Sequence, residues 1–199
     1  MTLLEKVEQN KEDLLNIRHQ IHRHPETAFE EIETTKLIKK VLDDAGIENH
    51  PNGDSTGVIG LIHGAKEGPV LAIRADIDAL PIKENTGLPF SSEVSGKCHA
   101  CGHDIHTAAL LWAAKALCAL RDRLHGSVKL IFQCAEEVGA GAEQMLALGA
   151  LAPECPEAVV GFHCDPKLPW DTVGLRYGPS NASFDILTWH ITGRGGHGA

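Results

Sequence analysis

The strongest constraint on how this chain can fold lies in four short apolar runs, Val58 to Ile62, Val70 to Ile73, Val128 to Phe132 and Ala158 to Phe162, bounded by Gly, Pro and Asp. Runs of this kind read as strands buried on both faces. The Ala/Leu-rich segments His106 to Leu120 and Ala142 to Leu148 lie between them and favour helix by composition. Strands alternating with helices predict an α/β layered sheet containing parallel pairs. Upstream, Leu14, Ile17 and Ile21 predict a first amphipathic helix, with a capping box at Thr2-x-x-Glu5 and an end before Pro25. Ile32, Leu37, Ile38, Val41 and Leu42 predict a second, stopped by Gly46. Beyond Thr172, Val173 to Arg176 and Phe184 to Thr192 read as further strands, followed by the glycine-rich turn Gly193 to Ala199.

In open α/β sheets ligands bind beyond the carboxyl ends of the strands, where loops carry polar groups without burying them unpaired. Here Val70 to Ile73 leads into Arg74-Ala75-Asp76-Ile77-Asp78, Val128 to Phe132 into Gln133-Cys134-Ala135-Glu136-Glu137, and Ala158 to Phe162 into His163. Three strand ends therefore converge on one crevice, with Cys101 and His103 supplied by the loop before the long helix. A thiolate and neutral imidazoles suit zinc, and carboxylates widen the choice to manganese, cobalt or nickel. Glu136 and Glu137 are adjacent acids that repel each other unless a cation sits nearby. On an extended backbone they point to opposite sides, so one coordinates while the other faces water as a candidate general base.

The net charge of −9 and the absence of a clustered Lys/Arg segment exclude a nucleic-acid partner and favour a small-molecule substrate. No apolar run reaches signal-peptide or membrane-span length, so neither a membrane nor export is expected and the cytoplasm is the expected compartment. In that setting the six cysteines read as free thiols, one of them a ligand.

Five segments, His22-Arg23-His24-Pro25-Glu26, Arg74 to Pro81, His99-Ala100-Cys101-Gly102-His103-Asp104, Ala135-Glu136-Glu137 and Gly195-Gly196-His197, span nearly the whole chain. Together they resemble the M20 family of metal-dependent amidohydrolases, in its branch of N-acyl-amino-acid, hippurate and auxin-conjugate hydrolases. The resemblance implies a three-layer mixed-sheet α/β sandwich of the zinc-exopeptidase type. Residues 1–182 would be the N-terminal part of the metal-binding catalytic domain, and 183–199 the first strand of an α+β lid and dimerisation domain. It further implies two divalent metal ions held by Cys101, His103, Glu137 and His163, with Glu136 as general base. Asp76 and Asp78 would orient the ligands, and His197 would help polarise the scissile carbonyl, often in a partner subunit's site. An N-acyl amino acid substrate and a homodimer at full length follow from the same resemblance. So does a longer chain, with the rest of the lid and a last histidine ligand beyond residue 199, and activity of these residues alone is not expected.

Other readings compete. A non-catalytic metal-binding fragment keeps the sheet without turnover, and Cys98-x-x-Cys101 suggests a thiol oxidoreductase that would leave Glu136, Glu137 and His163 unexplained. His19, His22 and His24 read as a solvated face or a local cap, whereas His99 and His106 are divided between site support and plain packing. Gly193-x-Gly195-x-x-Gly198 formally fits a dinucleotide fingerprint but lacks the acidic residue that would hold a ribose, so a hinge is favoured.

Overall fold

The computed structural model describes residues 3–183 and 185–198. They fall into two units divided between Cys164 and Asp165.

The first unit opens with α1 (Leu3–Gln9) and α2 (Lys11–Arg23), two helices broken at Asn10 where the sequence suggested one. Thr2 of the expected capping box lies outside the described residues. Helix α3 (Ile32–Asp44) follows, its first amides taken by a glutamate from outside the helix: Glu26 accepts the N–H groups of Glu33 at 3.0 Å and Thr34 at 2.8 Å. Gly46, at φ +65°, turns the chain away at the other end. Then come β1 (Glu48–Pro51), β2 (Val58–His63), β3 (Lys66–Asp76), α4 (His103–Cys118), β4 (His125–Gln133), α5 (Gly141–Ala147) and β5 (Ala158–Gly161).

The strands form one mixed sheet in the order β1-β2-β4-β3-β5. Strand β2 runs antiparallel to β1 and β4, while β3 runs parallel to β4 and β5. The β3-α4-β4 connection is the crossover that a parallel pair requires. Alternation along the strands sorts the core into two clusters. Val58, Ile62, Leu130 and Phe132 pack with Ile38 and Leu42 of α3 and Leu110, Leu111 and Ala114 of α4. Ile59, Ala72 and Ile131 face the other way and pack with Met145 of α5. Helices therefore cover both faces, which makes the three layers expected from the sequence. Full burial of side chains such as Ile38 and Leu42 contributes about 1.5–3 kcal/mol each.

In the second unit, the described residues of 165–198 contain no helix or strand. The strands expected over 173–176 and over the described part of 184–192 are not formed; Phe184 itself lies outside the described residues. A strand is stabilised by a ladder partner and a packed face. Leu175, Trp189 and Ile191, at 92%, 81% and 90% exposure, have no packed face. Among the described residues no helix is long and apolar enough to cross a membrane.

Candidate metal centre

The expected helix start at His106 falls three residues late, and this difference builds the centre. Gly102, at φ +88°, turns the chain into α4, so His103 is the first helical residue instead of a loop residue. His103 and His106 then share one helix face and are both fully buried. Their rings meet the end of β3, and that of His103 also faces the turn after β4.

His103 has one nitrogen fixed and one unclaimed. Its Nδ1 donates to acceptors only, the Asp78 carbonyl at 2.9 Å and Asp78 Oδ1 at 3.2 Å. In the neutral ring this leaves the lone pair on Nε2, which is buried without a hydrogen-bond partner. Around that atom stand Asp76 Oδ2 at 3.5 Å, Glu137 Oε1 at 3.8 Å and Glu136 Oε2 at 3.9 Å. Glu137 Oε1 is likewise buried and unpartnered. A lone pair facing acidic oxygens in a dry site is repulsive unless a metal ion or a ring proton lies between them, and buried polar atoms are ordinarily paired.

A second group adjoins the first. Cys101 Sγ lies 3.4 Å from His163 Nε2, while His163 Nδ1 donates to the Cys164 carbonyl at 2.8 Å. Cys101, His103 and His163 place ligand atoms within 4.8 Å of one another, as do His103, Glu136 and Glu137. Asp76, His103 and His106 meet the same criterion. His106 is nevertheless spent, since Nδ1 donates to Asp76 Oδ1 at 2.6 Å and Nε2 accepts the Cys164 N–H at 2.9 Å. The remaining thiol, imidazole and carboxylate donors fit a zinc-like divalent ion.

The carboxylates beneath are shared supports. Asp76 Oδ2 accepts a hydrogen bond from Arg74 at 2.7 Å, and Asp78 Oδ2 accepts the Glu137 N–H at 2.9 Å. Asp78 thus orients both His103 and Glu137. Burial alone would raise the Asp76 pKa, but the His106 hydrogen bond and the charges of His103 and Arg74 overcome it and hold the group at about 2. For His103, burial opposes the charge, yet the Asp78 hydrogen bond and surrounding carboxylates leave its pKa raised.

Glu136 and Glu137 do not lie on an extended backbone as the sequence suggested. Strand β4 ends at Gln133, and Ala135, at φ +48°, starts a turn that brings both carboxylates toward His103. They differ in exposure, with side chains 40% accessible for Glu136 and 19% for Glu137.

All six cysteines are free. Burial and the neighbouring Glu137, Glu136 and Asp76 push the Cys101 thiol up to about 12, the reverse of the lowered pKa of a redox nucleophile. Without a cation this pocket disfavours thiolate, and with one it supplies it.

The structure also brings in a residue that sequence reasoning assigned to a solvated face. His22 is buried, with Nδ1 2.9 Å from Asp104 Oδ2 and Nε2 3.3 Å from Glu84 Oε1, while Arg18 donates to the same Asp104 oxygen at 3.0 Å. An acid immediately after His103, opposite a helix rich in His and Arg, was the available signal. His99 is buried with neither nitrogen partnered, and burial pushes its pKa down to about 4. His197 belongs to the second unit and is exposed.

A mixed sheet with helices on both faces and a cluster of sulfur, nitrogen and oxygen donors at its strand ends defines a metallohydrolase-like class. The chain belongs to peptidase family M20/M25/M40, whose sequence profile matches residues 72–195. It is 48% identical over 189 residues to N-acetyl-L-cysteine deacetylase of Bacillus subtilis, covering 95% of this chain and 45% of that one. Against IAA-amino acid hydrolase ILR1-like 2 of Arabidopsis thaliana it is 45% identical over 186 residues, covering 94% and 42%. The chain spans about half the length of the curated relatives it matches. Among solved structures, the Bacillus subtilis YXEP protein, a dinuclear metal-binding peptidase from the M20 family, superposes with a TM-score of 0.81 at 49% identity, over 84% of this chain and 47% of that one.

Proposed function

We propose that this chain is the metal-binding part of an amidohydrolase that cleaves the amide bond of N-acyl amino acids or related small amides. The observation that carries the proposal is His103 Nε2, buried, unpartnered and faced by Asp76, Glu136 and Glu137. Cys101, His103, Glu137 and His163 would hold two divalent ions of the zinc, manganese, cobalt or nickel kind. Bound ions of this type lower the pKa of water towards ~7 and polarise a carbonyl.

The protein groups then divide the work. Glu136, the more exposed of the two glutamates, takes the proton from the attacking water and passes it to the departing amine nitrogen, which otherwise leaves as an unstable anion. Asp78 and Asp76 hold the ligands in orientation. His197 supplies a hydrogen bond to the developing oxyanion, from a lid domain that begins at 183–199 and pairs two copies of the full-length protein. The names of the relatives support the substrate class, and the cytoplasm is the expected compartment.

Elemental analysis of the purified full-length protein, with hydrolysis of N-acetyl amino acids measured before and after chelation, tests this reading. Bound divalent metal, activity lost on chelation and activity restored on metal return are expected; full activity without metal would end the proposal. Glu136→Gln is expected to keep its metal and lose turnover. The second reading is a chain that binds metal without turnover. Metal uptake by the 199-residue chain, with hydrolysis appearing only at full length, would be its signature.

A further inference from the structure

We infer that Glu31 is a positioning residue that locks the turn carrying Glu136 and Glu137. Glu31 immediately precedes α3, far from the centre in sequence, yet it is fully buried. Its Oε1 accepts the N–H of Ala135 at 2.8 Å, and its Oε2 accepts the Thr56 hydroxyl at 2.6 Å. Ala135 is the residue with φ +48°, a conformation that an L-residue holds only when its surroundings over-determine it.

The rest of the turn is equally constrained. The Ala135 carbonyl accepts the Gly141 N–H at 3.1 Å, and the Glu136 carbonyl accepts that of Gly139 at 2.8 Å. The amides on either side of Glu136 each end on a buried carboxylate, Ala135 on Glu31 and Glu137 on Asp78. Asp78 also holds His103, so Asp78 sets the distance between ligands while Glu31 sets the direction in which the strand end presents its glutamates. Removing the Glu31 acceptor leaves the Ala135 amide buried and unpaired, and the turn relaxes away from His103.

The consequence for metal and turnover rests on the proposed function; the consequence for the turn does not. The experiment compares full-length wild type with Glu31→Gln, Glu31→Leu and Thr56→Val. Glutamine keeps an oxygen for the Ala135 N–H and offers its amide to the Thr56 hydroxyl, so it is expected to behave as wild type. Leucine fills the space without an acceptor. In metal-free Glu31→Leu the amides of Ala135 and Glu137 should exchange about tenfold faster or more. After cobalt(II) loading its visible absorption should shift, with kcat down about 10–100-fold and KM little changed. Wild-type exchange and a wild-type cobalt spectrum in a folded Glu31→Leu, with only the melting temperature lowered, would overturn the inference. If that variant does not fold, Thr56→Val decides: smaller changes in exchange and spectrum support the inference, and wild-type values refute it. A wild-type protein that takes up no cobalt would remove the proposed function, and amide exchange alone would then decide the role of Glu31.

Discussion

His106 receives the backbone N–H of Cys164 on Nε2 at 2.9 Å. Because its other nitrogen donates to Asp76, one ring ties the end of β3 to the segment after β5 that carries His163. The Thr107 hydroxyl adds a bond to the Asp76 carbonyl at 3.1 Å, so α4 grips the β3 end twice.

His106→Ala is therefore expected to weaken metal binding by about 10–100-fold, as loss of a ligand's supporting hydrogen bond typically does. His106→Gln, which keeps a donor and an acceptor, should recover part of the loss. Competition with a chromophoric chelator measures both.

Asp76 gives a pH dependence with a defined sign. Its folded pKa of about 2 lies below the ordinary aspartate value of 3.8, so its ionised form stabilises the fold above the unfolded value. That contribution, about 2 kcal/mol, is lost as pH falls through 3.8 towards about 2. In urea titrations, wild type should exceed Asp76→Asn in stability at neutral pH, and the gap should narrow steadily in acid.

His22 gives the opposite dependence. The Asp104 hydrogen bond raises its pKa above 6.5, with Glu84 adding to the effect against burial. Its protonated form contributes fully below about pH 6.5, and the contribution is lost as pH rises through the elevated folded value. The stability advantage of wild type over His22→Gln should shrink as pH rises above about 6.5 in denaturant melts.

Gly141 tests the back of the glutamate turn. A Cβ there would collide with the Cys134 carbonyl oxygen, a backbone atom that cannot swing aside. Gly141→Ala should cost about 1–3 kcal/mol by overpacking and lower metal affinity with it, read by thermal denaturation and metal titration.

The order of buried strands and covering helices was legible because Val58–Ile62 and, apart from Lys129, Val128–Phe132 carry apolar residues on both faces, a pattern that few other structures satisfy. The clustering of Glu136, Glu137 and His163 near His103 was legible for a related reason, since polar groups that follow buried runs are concentrated at strand ends. Strand β1 was not, because Glu48-Asn49-His50-Pro51 is an edge strand with nothing apolar to bury, held by its pairing with β2 and the Asn49 bonds to α3. The early start of α4 was hidden in the left-handed Gly102, and the break between α1 and α2 at Asn10 had no proline or glycine to mark it.

Glu31 and His22 escaped for a different reason. Within Glu30-Glu31-Ile32-Glu33 nothing local says which acid is buried, because the answer depends on Ala135 and Thr56, which the fold alone brings near. His22 likewise reads as surface until Asp104 and Glu84 are placed against it.

The four residues of β5 are all exposed, and its ladder among the described residues is with β3 alone. His163 follows this strand and is held through the Cys164 N–H on His106, while His103 stands on the well-packed start of α4 and Cys101 just before it. Amide exchange at β5 should therefore run faster than in β2 or β4, which have partners on both sides.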